Sequence, residues 1–417
     1  MIVVGGISLA LVATVAVRDA TWLVVLVTLA AFGCASFAVA AGRRWHTLLL
    51  GALAVPLGAF RMFPWLRRGL AAAHGRRASL WPILRAVLLG LGLLLVFGGL
   101  FAGADPAFAD LAGRLVPGLS LLPVRVGVFV LTVTAALAAA YVAVNRPQWD
   151  SLPVVTPRPA ARREWALPLI MLDALFLAFI AVQVTVLFGG RTHILRTQGL
   201  TYAEYARQGF WQLLLVTLLT FGVLTVAVWK APRTTGADRL LARALLGLLI
   251  LFALVVVASA LYRMNLYEQA FGFTRLRVFV TAVELWFGVV LVLVALAGIR
   301  LRASWLPQAV AGSGAVALIA LAALNPDALI AERNIARWHD GQQLDVRYLA
   351  NLSADAAPAL SRLPEPQRSC ALFHISRELT NEPWYAFNLG RYRARDMLDG
   401  QRISFSPECL TLESERR

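Results

Sequence analysis

The chain has 417 residues, 59% of them hydrophobic and only 15% charged, with a mean hydropathy of +0.70. Soluble proteins are about 45–50% apolar, so this composition excludes an ordinary water-soluble fold and makes the bilayer the solvent. The net charge is +16, yet from Asn325 onward about 12 bases face about 13 acids. The basic excess therefore sits between apolar segments, which fits the positive-inside rule and argues against a nucleic-acid partner.

Residues 2–17 and 20–41 predict two apolar helices broken by Arg18-Asp19. No basic n-region precedes the first, so it reads as a retained membrane helix and not a cleaved signal. Residues 45–60 form a shorter apolar stretch interrupted by Pro56, which either spans weakly or lies in the interface. Arg61, Arg67, Arg68, Arg76 and Arg77 follow without an acid and mark a cytoplasmic loop. Residues 81–104 predict the next span, and the loop after it holds Asp105, Asp110 and Arg114. Residues 121–144 return inward to a proline-rich linker over 145–164.

Residues 165–189 go out again and carry Asp173. This residue is either a helix-packing group or a proton-coupling carboxylate. Thr201 and Glu204 have capping-box spacing for a helix into the span at 210–229. Lys230 is the chain's only lysine, and with Arg233, Arg239 and Arg243 it marks a third cytoplasmic turn. Segments 240–262, 276–299 and 305–324 complete about ten helices, the last ending outside.

Residues 325–417 differ in composition and read as an extracytoplasmic helical domain below a membrane domain of residues 1–324. Asn325-Pro326 has the form of an N-cap followed by proline at the first helical position. Ser353 is a second expected N-cap, and Gly400 is a stop. Short helices are expected over 344–352, 353–362, 366–380 and 383–399. If the tail is exported, Cys370 and Cys409 meet an oxidising compartment. They then form a disulfide pinning the segment Phe405–Leu410 to the helix carrying Cys370; the alternative is two buried thiols.

The stretch Ala260–Phe287 places Tyr262, Arg263, Tyr267, Glu268, Arg275 and Arg277 between two apolar segments and carries Glu284 into the second. Such charges are expensive in a bilayer, at roughly 2.5–3.5 kcal/mol each on insertion scales, and call for partners or a cavity. On the expected topology Asp105, Arg125, Tyr202, Glu204 and Arg207 share this outer face. Arg125 and Arg263 are the expected partners of Glu284. The cluster is either a set of buried ion pairs that fix helix packing or a polar cavity for an anionic headgroup or solute. No P-loop, dinucleotide fingerprint or Cys/His ligand spacing occurs in the sequence. No cofactor or metal is therefore expected.

The segment NPDALIAERNIARWHDGQQLDVRYLANLSADAAPAL resembles the C-terminal signature of bacterial polytopic membrane proteins grouped as domain of unknown function 4173. Leu100–Leu111 (LFAGADPAFADL), Leu200–Trp211 (LTYAEYARQGFW) and Tyr262–Arg277 (YRMNLYEQAFGFTRLR) are similar to that family's pattern. The resemblance implies a multi-helix membrane protein common in actinobacteria and brings no activity with it.

The expectation is therefore an all-α polytopic transmembrane helix bundle of about ten helices with a small helical C-terminal domain. It is a multi-pass protein of the cytoplasmic membrane, in contact with membrane lipids and, as a second class of partner, other membrane proteins. Its function is read as non-enzymatic, permease-like or sensing, with an outer-leaflet polar cavity. The alternatives are a membrane transferase on a lipid-linked substrate, using Asp105 and Glu204, and a scaffold subunit of a membrane complex.

Overall fold

Long apolar runs become helices because, without water, only a helix satisfies every backbone group within its own segment. The computed structural model describes residues 2–40, 122–145, 162–188, 202–231, 235–300, 304–380 and 387–399, with isolated positions between 51 and 66 and at 403 and 409. Within them the fold is all-α, and no strand occurs among the described residues. The helices, numbered over these residues, begin with α1 (Ile2–Val17), α2 (Thr21–Ala40), α3 (Leu122–Val144), α4 (Arg162–Phe188) and α5 (Tyr202–Lys230). Next come α6 (Gly236–Phe271), α7 (Arg275–Arg300) and α8 (Leu306–Ala323). The tail holds α9 (Pro326–His339), α10 (Val346–Ala350), a 3-10 turn (Ala354–Ala356), α11 (Ala357–Leu360), α12 (Gln367–Thr380) and α13 (Leu389–Leu398).

Among the described residues, four helices are long and apolar enough to cross a bilayer: Thr21–Ala38 of α2, all of α6, Arg275–Ile299 of α7, and all of α8. Val4–Val17, Leu131–Val144, Trp165–Ala181 and Gln212–Val228 are shorter apolar helical stretches. Their outward faces are apolar as well: Leu29, Phe129, Met171, Leu219 and Ile299 are 60–68% exposed. Monomers in water do not present greasy surface on this scale, whereas lipid accepts it. The expected span at 81–104 lies outside the described residues.

The chain divides into two compact units, Gly33–Leu152 (with Met1) and Ile2–Phe32 with Pro153–Arg417. In the first, the Ser36 hydroxyl donates to the Gly51 carbonyl (2.6 Å) and accepts from the Val55 N–H (3.0 Å). Trp65 meets Tyr141 edge-on at 5.9 Å. In the second unit, α6 is the central helix, packed against α4, α5 and α7. Its stripe Leu249, Ala253, Val256 and Ala260 is at most 1% exposed. The tail helices build a separate core around Ile330, Ala331, Leu360, Ala371 and Leu372.

Local rules explain most boundaries, with three departures. Thr235 and Asp238 form a capping box at the start of α6, through a Thr-x-x-Asp signature that the basic turn around it had masked. Helix α6 does not stop at residue 262; it runs for 36 residues, so Tyr262–Phe271 is helix and the connection to α7 is only Gly272–Thr274. Gly272, at φ +83°, makes the stop that the apolar count alone did not place. Asn325 does flank α9, but at φ 51° and without a side-chain cap bond, because it turns the chain tightly between α8 and α9. Ser353 likewise gives no side-chain cap. Its N–H is used instead, by Asp327. The Thr201 cap and the Gly400 stop lie outside the described residues.

Candidate functional site

The polar stretch around the α6–α7 turn is closed by the tail. The side chain of Asn334, on α9, reads the turn as a strand would: its Oδ1 accepts from the Phe273 N–H and its Nδ2 donates to the Phe273 carbonyl, both at 2.9 Å. Arg337, one turn on, donates to the Gln269 and Ala270 carbonyls at 2.9 Å each. These are among the last carbonyls of α6, which have no partner within the helix. Arg277 adds donations to Phe271 (3.1 Å) and to the Gly272 carbonyl. Its guanidinium stacks 4.1 Å over the Tyr267 ring, and its charge acts on buried Glu268. The same charge, after burial, pushes the Arg337 guanidinium below its ordinary range.

Asp327, fully buried at the start of α9, is the centre of a second group. Arg275 grips it with Nε (3.0 Å) and Nη2 (2.5 Å), the Ser353 N–H donates at 2.9 Å and the Trp22 indole at 3.2 Å. Burial pushes this carboxyl up, but the Arg275 pair, the Ser353 N–H and the Trp22 indole more than offset it and hold it below the ordinary range. The Arg275 N–H is taken by the Tyr348 hydroxyl at 2.7 Å.

A third group finishes the ends of α1, α2 and α8. Arg18 donates to the Ala322 (2.6 Å) and Ala323 (3.0 Å) carbonyls at the end of α8. Asp355 accepts the Asp19 and Ala20 N–H groups at the start of α2. Asp19 accepts from the Ala354 N–H (3.1 Å) and pairs with Arg391 (3.0 Å). Asn388 donates to the Val15 and Arg18 carbonyls, both at 2.9 Å, while its Oδ1 caps α13 at Arg391. Cys370 and Cys409 are joined by a disulfide, with Cα atoms 5.6 Å apart.

Glu284 is the opposite case. It is fully buried, and neither carboxyl oxygen has a hydrogen-bond partner among the described residues. It occupies a stripe of α7 with Val280 and Leu291, both buried, and Gly288, whose absent side chain faces Val257 of α6. The register that sets Gly288 against Val257 and Arg277 against Glu268 puts Glu284 level with Leu261, not Arg263. The expected bond from Arg263 is therefore not made: Arg263 is buried elsewhere on α6, and neither Glu284 oxygen accepts from it. The Thr281 hydroxyl, one turn before Glu284, is also buried without a partner. Asp173 on α4 matches it: 4% exposed, both oxygens unpartnered, between Leu169 and Phe176 of the same apolar core.

Of the residues singled out in the sequence, Tyr267, Glu268, Arg275 and Arg277 come together at the turn, and Glu284 stands apart inside the bundle. Tyr202, Glu204 and Arg207 lie in the first turns of α5, in a stretch whose side chains are not described, and Asp105 lies outside the described residues. Asp19, Asp327, Asn334, Arg337, Asp355 and Asn388 are the residues that sequence reasoning missed. In the sequence Asp19 shows only as a break between two apolar segments. No group of three His, Cys, Asp or Glu that could hold a metal occurs among the described residues.

Residues 6–363 match the family model described as a domain of unknown function, DUF4153. The chain belongs to the DUF4153 family. That is a different number from the 4173 group its motifs resemble. The DUF4153 match runs through the membrane helices and on into the tail as far as α11, so it includes Asp327, Asn334 and Asp355. No curated protein and no solved structure matches the chain.

Proposed function

We propose that this DUF4153 member is a non-enzymatic, permease-like or sensing protein of the cytoplasmic membrane, with residues 325–417 as an extracytoplasmic domain that caps the bundle. The observation that carries the reading is Glu284. An ionisable side chain deep in a membrane helix is costly and is retained where it faces a pathway, a ligand or a partner. Here no described group donates a hydrogen bond to it, so we read it as more than one partner of a structural ion pair. The clustered arginines at the turn do serve structure, since their donors are spent on helix ends and on Asp327. The disulfide in the tail supports export, because such bonds persist in oxidising compartments.

The test is a deletion strain complemented with wild type or with Glu284→Gln, comparing small-solute profiles of cells and medium by mass spectrometry. Glu284→Gln, present at wild-type abundance in the membrane, is expected to reproduce the solute imbalance of the deletion. Full complementation by the variant would sink the reading.

A further inference from the structure

We infer that Glu284 and Asp173 are reversible proton-binding sites on two helices flanking α6, and that the proton is the ion this protein couples to. The inference deepens the reading above, on which it rests for the functional weight of Glu284.

The geometry comes first. Both carboxyls are more than nine-tenths buried, and each has two unpartnered oxygens. Both helices pack on α6, the central helix of the bundle. Asp173 lies eleven residues into α4 and Glu284 nine into α7, about 16 Å and about 14 Å from the helix starts, so neither is an end-of-helix group. Trp165 adds an unpartnered indole N–H on the buried side of α4, and Thr281 an unpartnered hydroxyl on α7. Two polar, unsatisfied patches on either side of one helix are rare in a packed interior and call for an occupant.

The chemistry then selects the occupant. A hard metal cation needs about six oxygen ligands, and membrane transporters commonly supply them by unwinding helices to free backbone carbonyls. Helix α7 is continuous around Glu284, and in α4 the only interior proline, Pro168, precedes Asp173 by more than a turn. Each site therefore offers a single carboxyl: Thr281 lies one turn from Glu284, and Trp165 stands about 12 Å along α4 from Asp173. An anion would be repelled by the carboxylate at either site. A proton needs only the carboxyl oxygen itself: binding forms one O–H bond and removes one charge, and release returns the proton to water. The charged side chains on the packed elements are, on α6, Asp238, Arg239, Arg243, Arg263 and Glu268; on α7, Arg275, Arg277 and Arg300; on α9, Asp327, Glu332, Arg333 and Arg337; on α5, Glu204, Arg207 and Lys230. Helix α8 has none. None of the described ones hydrogen-bonds to Glu284 or Asp173.

The experiment uses the purified full chain in liposomes and dicyclohexylcarbodiimide. This apolar reagent adds a protonated carboxyl across its C=N bond and rearranges to a stable acylurea. Peptide mass spectrometry reads the adduct at each residue over a pH series, with and without sodium, potassium or magnesium chloride. Adducts are expected at Glu284 and Asp173, falling about tenfold per pH unit once the acid dissociates, and unprotected by the salts. Infrared acid-minus-base spectra are expected to lose one protonated-carboxyl C=O band in Glu284→Gln and one in Asp173→Asn. Protection by a metal salt at fixed pH would overturn the inference in favour of that cation. Absence of both adduct and band would overturn it outright. The function reading fails separately, on full complementation by Glu284→Gln.

Discussion

Asp355 and Asp19 hold each other's strands of chain from 336 residues apart: the Asp355 carboxylate accepts the Asp19 N–H at 2.7 Å, and the Asp19 carboxylate accepts the N–H of Ala354, the residue before Asp355, at 3.1 Å. Two acids can lie this close because each is aimed at backbone donors and because Arg391 takes the remaining Asp19 oxygen. The start of α2 is thereby capped by a residue of the tail, where a local serine or aspartate would ordinarily serve.

The two buried tail carboxyls predict opposite pH dependences. Asp327 is held below the ordinary aspartate value of 3.8, so its contribution is complete above 3.8 and is lost as pH falls through its folded value. Asp355 is pushed above 3.8, chiefly by burial, so its contribution is complete below 3.8 and declines as pH rises through its folded value. Arg275 keeps a third of its side chain in solvent. Asp327→Asn should therefore cost about 3 kcal/mol near neutrality, the low end for breaking a buried pair. Thermal unfolding in detergent over a pH series checks this. The deficit of Asp327→Asn should close below pH 3.8, whereas that of Asp355→Asn should shrink above it.

The Cys370–Cys409 bond closes a loop of 39 residues. Loop-closure entropy gives it about 4 kcal/mol of stabilisation of the tail. Cys370→Ser should accordingly loosen the tail, raising its rate of proteolysis. In intact cells, a membrane-impermeant maleimide should label the two cysteines only after a reductant. Labelling only after lysis, together with a cytoplasmic signal from a reporter fused to the C-terminus, would invert the proposed topology.

Gly272→Ala tests whether the tail fixes the α6–α7 turn. At φ +83° an alanine is strained, and its Cβ would meet Asn334 Oδ1 at 2.5 Å and Arg337 Nη1 at 2.8 Å. The expected cost is about 1–3 kcal/mol, with both side chains displaced from the turn. Hydrogen exchange should then rise at the Phe273 N–H, which Asn334 protects. Unchanged exchange at Phe273 would show that the turn holds itself.

The sequence made the bundle legible because hydropathy is local: α2, α6, α7 and α8 follow from composition over about twenty residues. Tail helices α9 and α12 follow from their own patterning, α9 with Pro326 at its first position. What stayed hidden was the use of the polar residues. Arg18 donates to Ala322, 304 residues away, and Arg337 to Gln269, 68 away. A guanidinium with a carbonyl partner at that separation looks, in sequence, the same as one facing lipid headgroups. Arg275 and Arg277 were visible as costly charges near a span, but that Asp327 answers the first and the end of α6 the second required the tail to be in place. Glu284 was visible for the same reason, and its isolation was not.

Asn388 gives the chain an order of assembly. The last turn of the first helix is completed by a side chain 373 residues downstream. At about 5–20 residues per second, a ribosome needs roughly 20–75 s to travel from Val15 to Asn388. Throughout that interval the end of α1 is without its partner Asn388, although Asp355, the partner of the start of α2, emerges earlier. A nascent chain stalled before α13 would hold every described membrane helix and still leave the last turn of α1 unfinished, so a truncated molecule differs from a finished one at its beginning as well as at its end.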